Sequence, residues 1–123
     1  RIEELNGSRK RNGRALDVGL SGLTSLGIPT YPKESEPIYM SFVVHHRDRE
    51  LLSKALREKG VDTTTGYMND MSDHPLFQQY KIACPNATRA NREILHIPVH
   101  PNLSESDRQH MIQAIREVVL NLG

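Results

Sequence analysis

The clearest pattern lies at the end of the chain, where Met111, Ile112, Ile115, Val118, Val119 and Leu122 recur at helical spacing. Ser104 and Asp107 stand ahead of it in the form of a capping box, which predicts one long helix from there to the terminus. Just before, Ile94, Leu95, Ile97 and Val99 form an apolar run cut by Pro98 and closed by the turn-forming His100-Pro101-Asn102. Within it Ile94 to Ile97 reads as a strand. A better-patterned strand is predicted from Ile38 to Val44, where Ile38, Met40, Phe42 and Val44 alternate with Tyr39, Ser41 and Val43. Val61 to Thr65 is β-branched except for Asp62 and reads as a further strand. Between these lie helical segments. Leu51, Leu52, Ala55 and Leu56 share one side of a helix from Arg49 to Lys59, with Asp48 as its cap and Gly60 as its stop. Asn86 caps a short helix through about Glu93, and Leu76 to Tyr80 makes one helical turn.

The beginning of the chain is less regular. Arg1 to about Asp17 reads as a helix, but Arg9 and Asn12 interrupt the stripe that Ile2, Leu5, Leu16, Leu20 and Leu23 would make. Such a helix is either well exposed or packs against something else. Ser25 to Pro37 holds Gly27, Pro29, Pro32 and Pro37 and must be a loop. The order α, β, α, β, short α, β, α predicts an α+β fold, with helices packed over a small sheet of about three strands.

Composition narrows the function classes. A length of 123 residues suits one domain able to bury a core without staples, and the lack of Trp makes that core aliphatic. A formal charge of +1 gives no reason to expect nucleic acid or an anionic membrane as a partner. The basic cluster Arg9, Lys10, Arg11 and Arg14 is then read as a solvated helix face. No apolar run approaches the roughly 20 residues needed to span a bilayer. Cys84 is the only cysteine, so no internal disulfide or thiolate zinc site can form, and a cytoplasmic setting is expected. The thiol itself is expected to be buried or half-buried and inert. The chain starts with Arg, which is read as the mark of a processed or excised piece.

Candidate chemistry is thin. Of six histidines, His45 and His46 are adjacent and point to opposite faces of a strand, while Pro98 separates His96 from His100. No metal site is expected. Neither a GxSxG elbow nor a GxxxxGK[ST] phosphate loop occurs. Asp70 and Asp73 lie in a polar loop and read as solvated. A Schiff-base lysine must be desolvated, yet Lys10, Lys33, Lys54, Lys59 and Lys81 all lie in charged or loop contexts. Taken alone, the chain encodes no complete active site.

One resemblance accounts for that absence. Pro85-Asn86, Arg92-Glu93-Ile94-Leu95, Ile97-Pro98-Val99 and Pro101-Asn102-Leu103-Ser104 together resemble the C-terminal end of the DegT/DnrJ/StrS family. These are pyridoxal-phosphate (PLP) aminotransferases of nucleotide-linked keto-sugars. Arg1 to Asn6 is similar to the family's connecting helix, and Gly60-Val61-Asp62-Thr63 resembles its Gly-Ile-x-Thr marker, which leads into a substrate-facing loop. The resemblance implies the C-terminal small domain of a fold-type I PLP enzyme spanning 1–123, with a connecting helix over about 1–24 and a sheet-and-helix body over about 38–123. It further implies a large N-terminal catalytic domain that holds PLP and its lysine, a homodimer, and a nucleotide-sugar substrate. Within the substrate-facing loop it implies Gly66, Tyr67, Asn69 and Ser72. Tyr67 and Pro75 match family positions, whereas Gly66, Met68 and Ser72 stand where bulkier residues, proline and histidine are frequent. The fragment alone would bind no cofactor and no metal, and would be inactive. The alternative is a stand-alone α+β binding or regulatory module without chemistry.

Overall fold

The computed structural model describes residues 1–66 and 70–123. Helix α1 (Ile2–Gly19) is followed by a long loop, strand β1 (Phe42–His45) and helix α2 (Arg49–Glu58). Two 3-10 turns (Met71–Asp73 and Pro75–Tyr80), helix α3 (Pro85–Glu93), strand β2 (Ile94–Ile97) and helix α4 (Glu105–Leu122) complete the chain. The fold is α+β, as the pattern predicts.

β1 and β2 pair antiparallel, with Phe42 opposite Ile97 and Val44 opposite Leu95. These four side chains point inward and are buried with Leu16 and Leu20 of α1, Leu52 and Leu56 of α2, and Ile115 and Val119 of α4. The alternate residues Val43, His45, Ile94 and His96 face outward and are only half-buried.

The sheet departs from the expected three strands. Tyr39 has φ 51, a left-handed conformation uncommon for an aromatic residue, and it ends the alternation predicted upstream of Phe42. Tyr39 is buried instead, while Ile38 and Met40 are 48% and 79% exposed. The reason is packing: the Tyr39 ring stacks on Phe42 at 6.1 Å and lies so close to Gly13 that an added Cβ there would come within 2.3 Å of it. Val61 to Thr65 also forms no full strand. Thr64 alone bridges β2, through Thr64 N–H to His96 O at 3.3 Å and His96 N–H to Thr64 O at 2.9 Å. Its neighbours are drawn elsewhere: Thr63 N–H donates to the Asp62 carboxylate, and the Thr63 hydroxyl bonds Ser53 at 2.8 Å inside the core. Gly27 makes the corresponding single bridge to His45 on the free side of β1.

Helix ends follow local rules with two exceptions. The α4 capping box forms, with Ser104 Oγ accepting from Asp107 N–H and the Asp107 carboxylate accepting from Ser104 N–H. α2 ends on Gly60 at φ 78, where Val61 N–H reaches Leu56 O and Gly60 N–H reaches Arg57 O, a Schellman closure. Asp48 stands at the α2 N-cap, but its carboxylate pairs with Arg47 and makes no cap bond. α3 starts one residue before Asn86, at Pro85, whose fixed φ suits a first helical position. No residue of α3 is buried, and Cys84 at its N-cap is exposed, not sheltered as expected.

Asn12, which breaks the stripe of α1, is 2% exposed and satisfied on both sides. Its amide N–H donates to His100 O at 2.8 Å, and its carbonyl accepts from Arg108 at 3.0 Å. The interruption is a polar tie between α1 and the start of α4. Of the basic cluster, Arg9 donates to Met40 O, while Lys10 and Arg14 flank Glu36 at 2.9 and 3.4 Å. The Lys10 hydrogen bond and charge hold the Glu36 carboxyl below its ordinary pKa.

Candidate functional site

The outward face of the sheet carries a cavity of about 240 Å³, walled by Val43 of β1, Ile94 and His96 of β2, Met40, Ser41, Thr65, Gly66 and Asn91. Strand alternation places Val43 and His96 there, directly opposite each other in the register. A second cleft of about 290 Å³ shares the walls Met40, Ser41 and His96 and extends past Thr63, Thr64 and Asp62 to Arg9 and His100. The first is largely apolar and the second mixed, with Arg9, Asp62, Thr63, Thr64 and His100 among its walls, and the two together form one groove. A wider hollow of about 670 Å³ lies between α1 and the proline-rich loop. It is shallower, and neither Gly66 nor Ser72 lines it.

Two polar groups of the groove have defined partners. His96 Nδ1 lies 2.9 Å from Ser41 Oγ, and burial pushes the imidazole pKa down from its ordinary value. A neutral imidazole is therefore favoured near neutral pH. The Arg9 guanidinium is fixed by its bond to Met40 O.

Of the four predicted loop residues, Gly66 and Ser72 are described. Gly66 is at the cavity wall. Ser72 is half-buried in the loop's own stem, where its N–H and hydroxyl both donate to the Asp70 carboxylate. Asp70 in turn accepts from Thr88 of α3 at 2.7 Å, and these bonds, those of Ser72 first, hold its carboxyl below the ordinary range. Asp70 is thus an anchor for the loop, not a merely solvated carboxylate. Tyr67 and Asn69 lie outside the described residues. Ser41 and His96 were not singled out as a pair by the sequence, although the outward phase of His96 in Ile94-Leu95-His96-Ile97 is a signal for it.

The residues present do not suit PLP. Its lysine must lose its proton near neutral pH, but Lys81 is paired with Asp73, which raises its pKa. Lys59 pairs with Glu117 at 2.8 Å and Lys10 with Glu36 at 2.9 Å. Lys33 and Lys54 are exposed. Among the described residues no group of three or more His, Cys, Asp or Glu converges as a metal site. No described helix is long and apolar enough to cross a membrane.

Comparison with known proteins defines the context. The chain is 27% identical over 119 residues to dTDP-3-amino-3,4,6-trideoxy-alpha-D-glucose transaminase of Streptomyces venezuelae, covering 94% of this chain and 31% of that protein. It is 26% identical over 128 residues to dTDP-4-dehydro-2,6-dideoxy-D-glucose 3-dehydratase of Saccharopolyspora spinosa, covering 97% of this chain and 28% of the relative. Among solved structures, S. venezuelae DesV in complex with a ketimine intermediate superposes with a TM-score of 0.90 at 26% identity, over 96% of this chain and 33% of that one. The sugar aminotransferase CalS13 of Micromonospora echinospora shares the fold, with a TM-score of 0.89 at 24% identity, over 95% and 31% of the two chains. The chain thus spans about a third of the length of these relatives. The model of the DegT/DnrJ/EryC1/StrS aminotransferase family matches residues 1–116. The chain belongs to this family of aminotransferases.

Proposed function

We propose that these 123 residues are the C-terminal small domain of a PLP-dependent aminotransferase acting on nucleotide-linked keto-sugars. The observation that carries the reading is the 27% identity of nearly the whole chain to about a third of a dTDP-amino-sugar transaminase, with a superposition on one third of S. venezuelae DesV at a TM-score of 0.90. In this reading PLP and its lysine belong to a large N-terminal domain of the same cytoplasmic polypeptide, which acts as a homodimer. When bound, PLP would supply the electron sink for moving an amino group between carbon centres. The present chain closes over the cleft and shapes the sugar pocket.

Surface chemistry supports a missing neighbour. Leu76, Tyr80 and Ile82 are each more than two thirds exposed, and no residue of the two 3-10 turns or α3 is buried. The segment is nevertheless ordered by polar ties, Asp70 to Thr88 and Lys81 to Asp73. An ordered surface rich in exposed apolar side chains is what a covering domain requires.

Within this domain, Gly66 leaves space at the cavity wall and the adjoining Tyr67 contacts the sugar, with Asn69 and Ser72 in the same loop. The test uses the longer enzyme with its two half-reactions measured separately. Tyr67→Ala is expected to impair turnover of the keto-sugar at least about tenfold, as loss of a buried contact, and to leave the amino-donor half-reaction intact. Equal loss in both would indicate a folding defect, and no loss in either would put Tyr67 outside the cleft.

A further inference from the structure

Neither the two 3-10 turns nor α3 buries a residue, so polar ties rather than core packing fix where the chain after Gly66 rejoins the fold. Asp70 is the centre of these ties. Its Oδ1 accepts from the N–H and the hydroxyl of Ser72, and its Oδ2 accepts from the Thr88 hydroxyl at 2.7 Å. Both carboxylate oxygens are engaged, one on the loop's own stem and one on α3. The Ser72 bonds are local, whereas the Thr88 bond spans 18 positions of sequence.

The place of Thr88 is set by its helix. It stands three residues before Asn91, so the two are neighbours on the α3 surface, and Asn91 walls the apolar cavity. Arg49 of α2 donates to Asn91 O, and β2 follows α3 without a break. Gly66 is a wall of the same cavity. Asp70 follows it by four positions, a reach of at most about 14 Å. The loop therefore begins at the cavity and is pinned again one helical turn from another of its walls.

We propose that Asp70 and Thr88 are positioning residues for the sugar half-reaction, their hydrogen bond holding the substrate-facing loop against the cavity that Gly66 and Asn91 wall. The inference rests on the reading of the chain as part of a nucleotide-sugar aminotransferase. It adds a tie that acts through the loop and does not itself touch the sugar. Without the tie, the cost of ordering the loop is subtracted from the binding of the sugar. The effect falls on KM for the sugar, and the amino-donor half-reaction is untouched.

The test is made in the longer enzyme, with a panel of dTDP-linked keto-hexoses that includes dTDP-4-dehydro-2,6-dideoxy-D-glucose, and with the half-reactions separated. Thr88→Val removes the hydroxyl from an exposed helix position at little cost to the fold. It is expected to raise KM for the sugar about threefold to tenfold, with kcat, the donor half-reaction and the urea midpoint unchanged. Thr88→Ser keeps the hydroxyl and should match the parent. Asp70→Ala should raise KM at least as much, and adding Thr88→Val to it should bring no further rise, since one tie is lost only once. Unchanged sugar kinetics in Thr88→Val would overturn the proposal, as would effects of the two substitutions that simply multiply. Equal loss in both half-reactions of Thr88→Val would make the tie structural and overturn it too. Each of these outcomes leaves the aminotransferase reading intact. An unaltered enzyme that turns over no member of the panel would overturn both.

Discussion

At the residue scale, Tyr39 and Asn12 mark where pattern reading fails and why. Alternation assumes every residue of a run stays extended, so it assigns Ile38 and Met40 to the core. The aromatic side chain of Tyr39 instead enters the core against Gly13, and the backbone turns left-handed to let it. Asn12 fails in the opposite sense. A polar residue on a buried face reads as a defect until its partners, His100 and Arg108, are known, and they lie more than 80 positions away in sequence. Burial of the pair Gly13–Tyr39 leads to a direct test. Gly13→Ala would gain about 1 kcal/mol of helix propensity, but its methyl would meet ring carbons 2.3 to 2.5 Å away. Overpacking of this kind costs about 1–3 kcal/mol, so a net loss in the urea midpoint is expected. A more stable variant would mean that Tyr39 swings out at no cost, and that its strained conformation is not held by packing.

At the element scale, the helices were legible and the sheet was only half so. α2 and α4 carry their own start and stop signals, and Gly60 and the Ser104–Asp107 box perform as local chemistry requires. The third strand was misread because its β-branched composition is shared by a segment that makes one bridge. Whether Val61 to Thr65 extends the ladder depends on Asp62 and Ser53 capturing Thr63, which no propensity encodes. The candidate groove was hidden likewise, since Ser41 and His96 meet only once β1 and β2 pair. The α4 cap gives the matching prediction. Ser104→Ala should cost about 0.5–2 kcal/mol by urea unfolding at neutral pH. Ser104 holds the Asp107 carboxyl below its ordinary pKa of 3.8. A lowered carboxylate pKa stabilises the fold above the unfolded value and loses that contribution as pH falls through the folded one. The difference between Ser104→Ala and the parent should therefore shrink below about pH 4. A difference that stays constant down to pH 2 would show that the Asp107 charge has no part in the cap.

At the scale of the whole molecule, the chain folds around its own core yet exposes Ile2, Leu76, Tyr80 and Ile82, and its lysines are ion-paired or exposed. It spans 31% and 28% of the two curated relatives. In the proposed function, chemistry belongs to a larger polypeptide and sugar recognition partly to this portion. The most direct measurement is borohydride reduction of the natural polypeptide after loading with PLP, followed by mass spectrometry of the pyridoxyl-bearing peptide. The account predicts a polypeptide roughly three times the 14.0 kDa of this chain, with one pyridoxyl group on a lysine outside residues 1–123. A natural polypeptide of 14.0 kDa, or stoichiometric label on Lys10, Lys33, Lys54, Lys59 or Lys81, would contradict it.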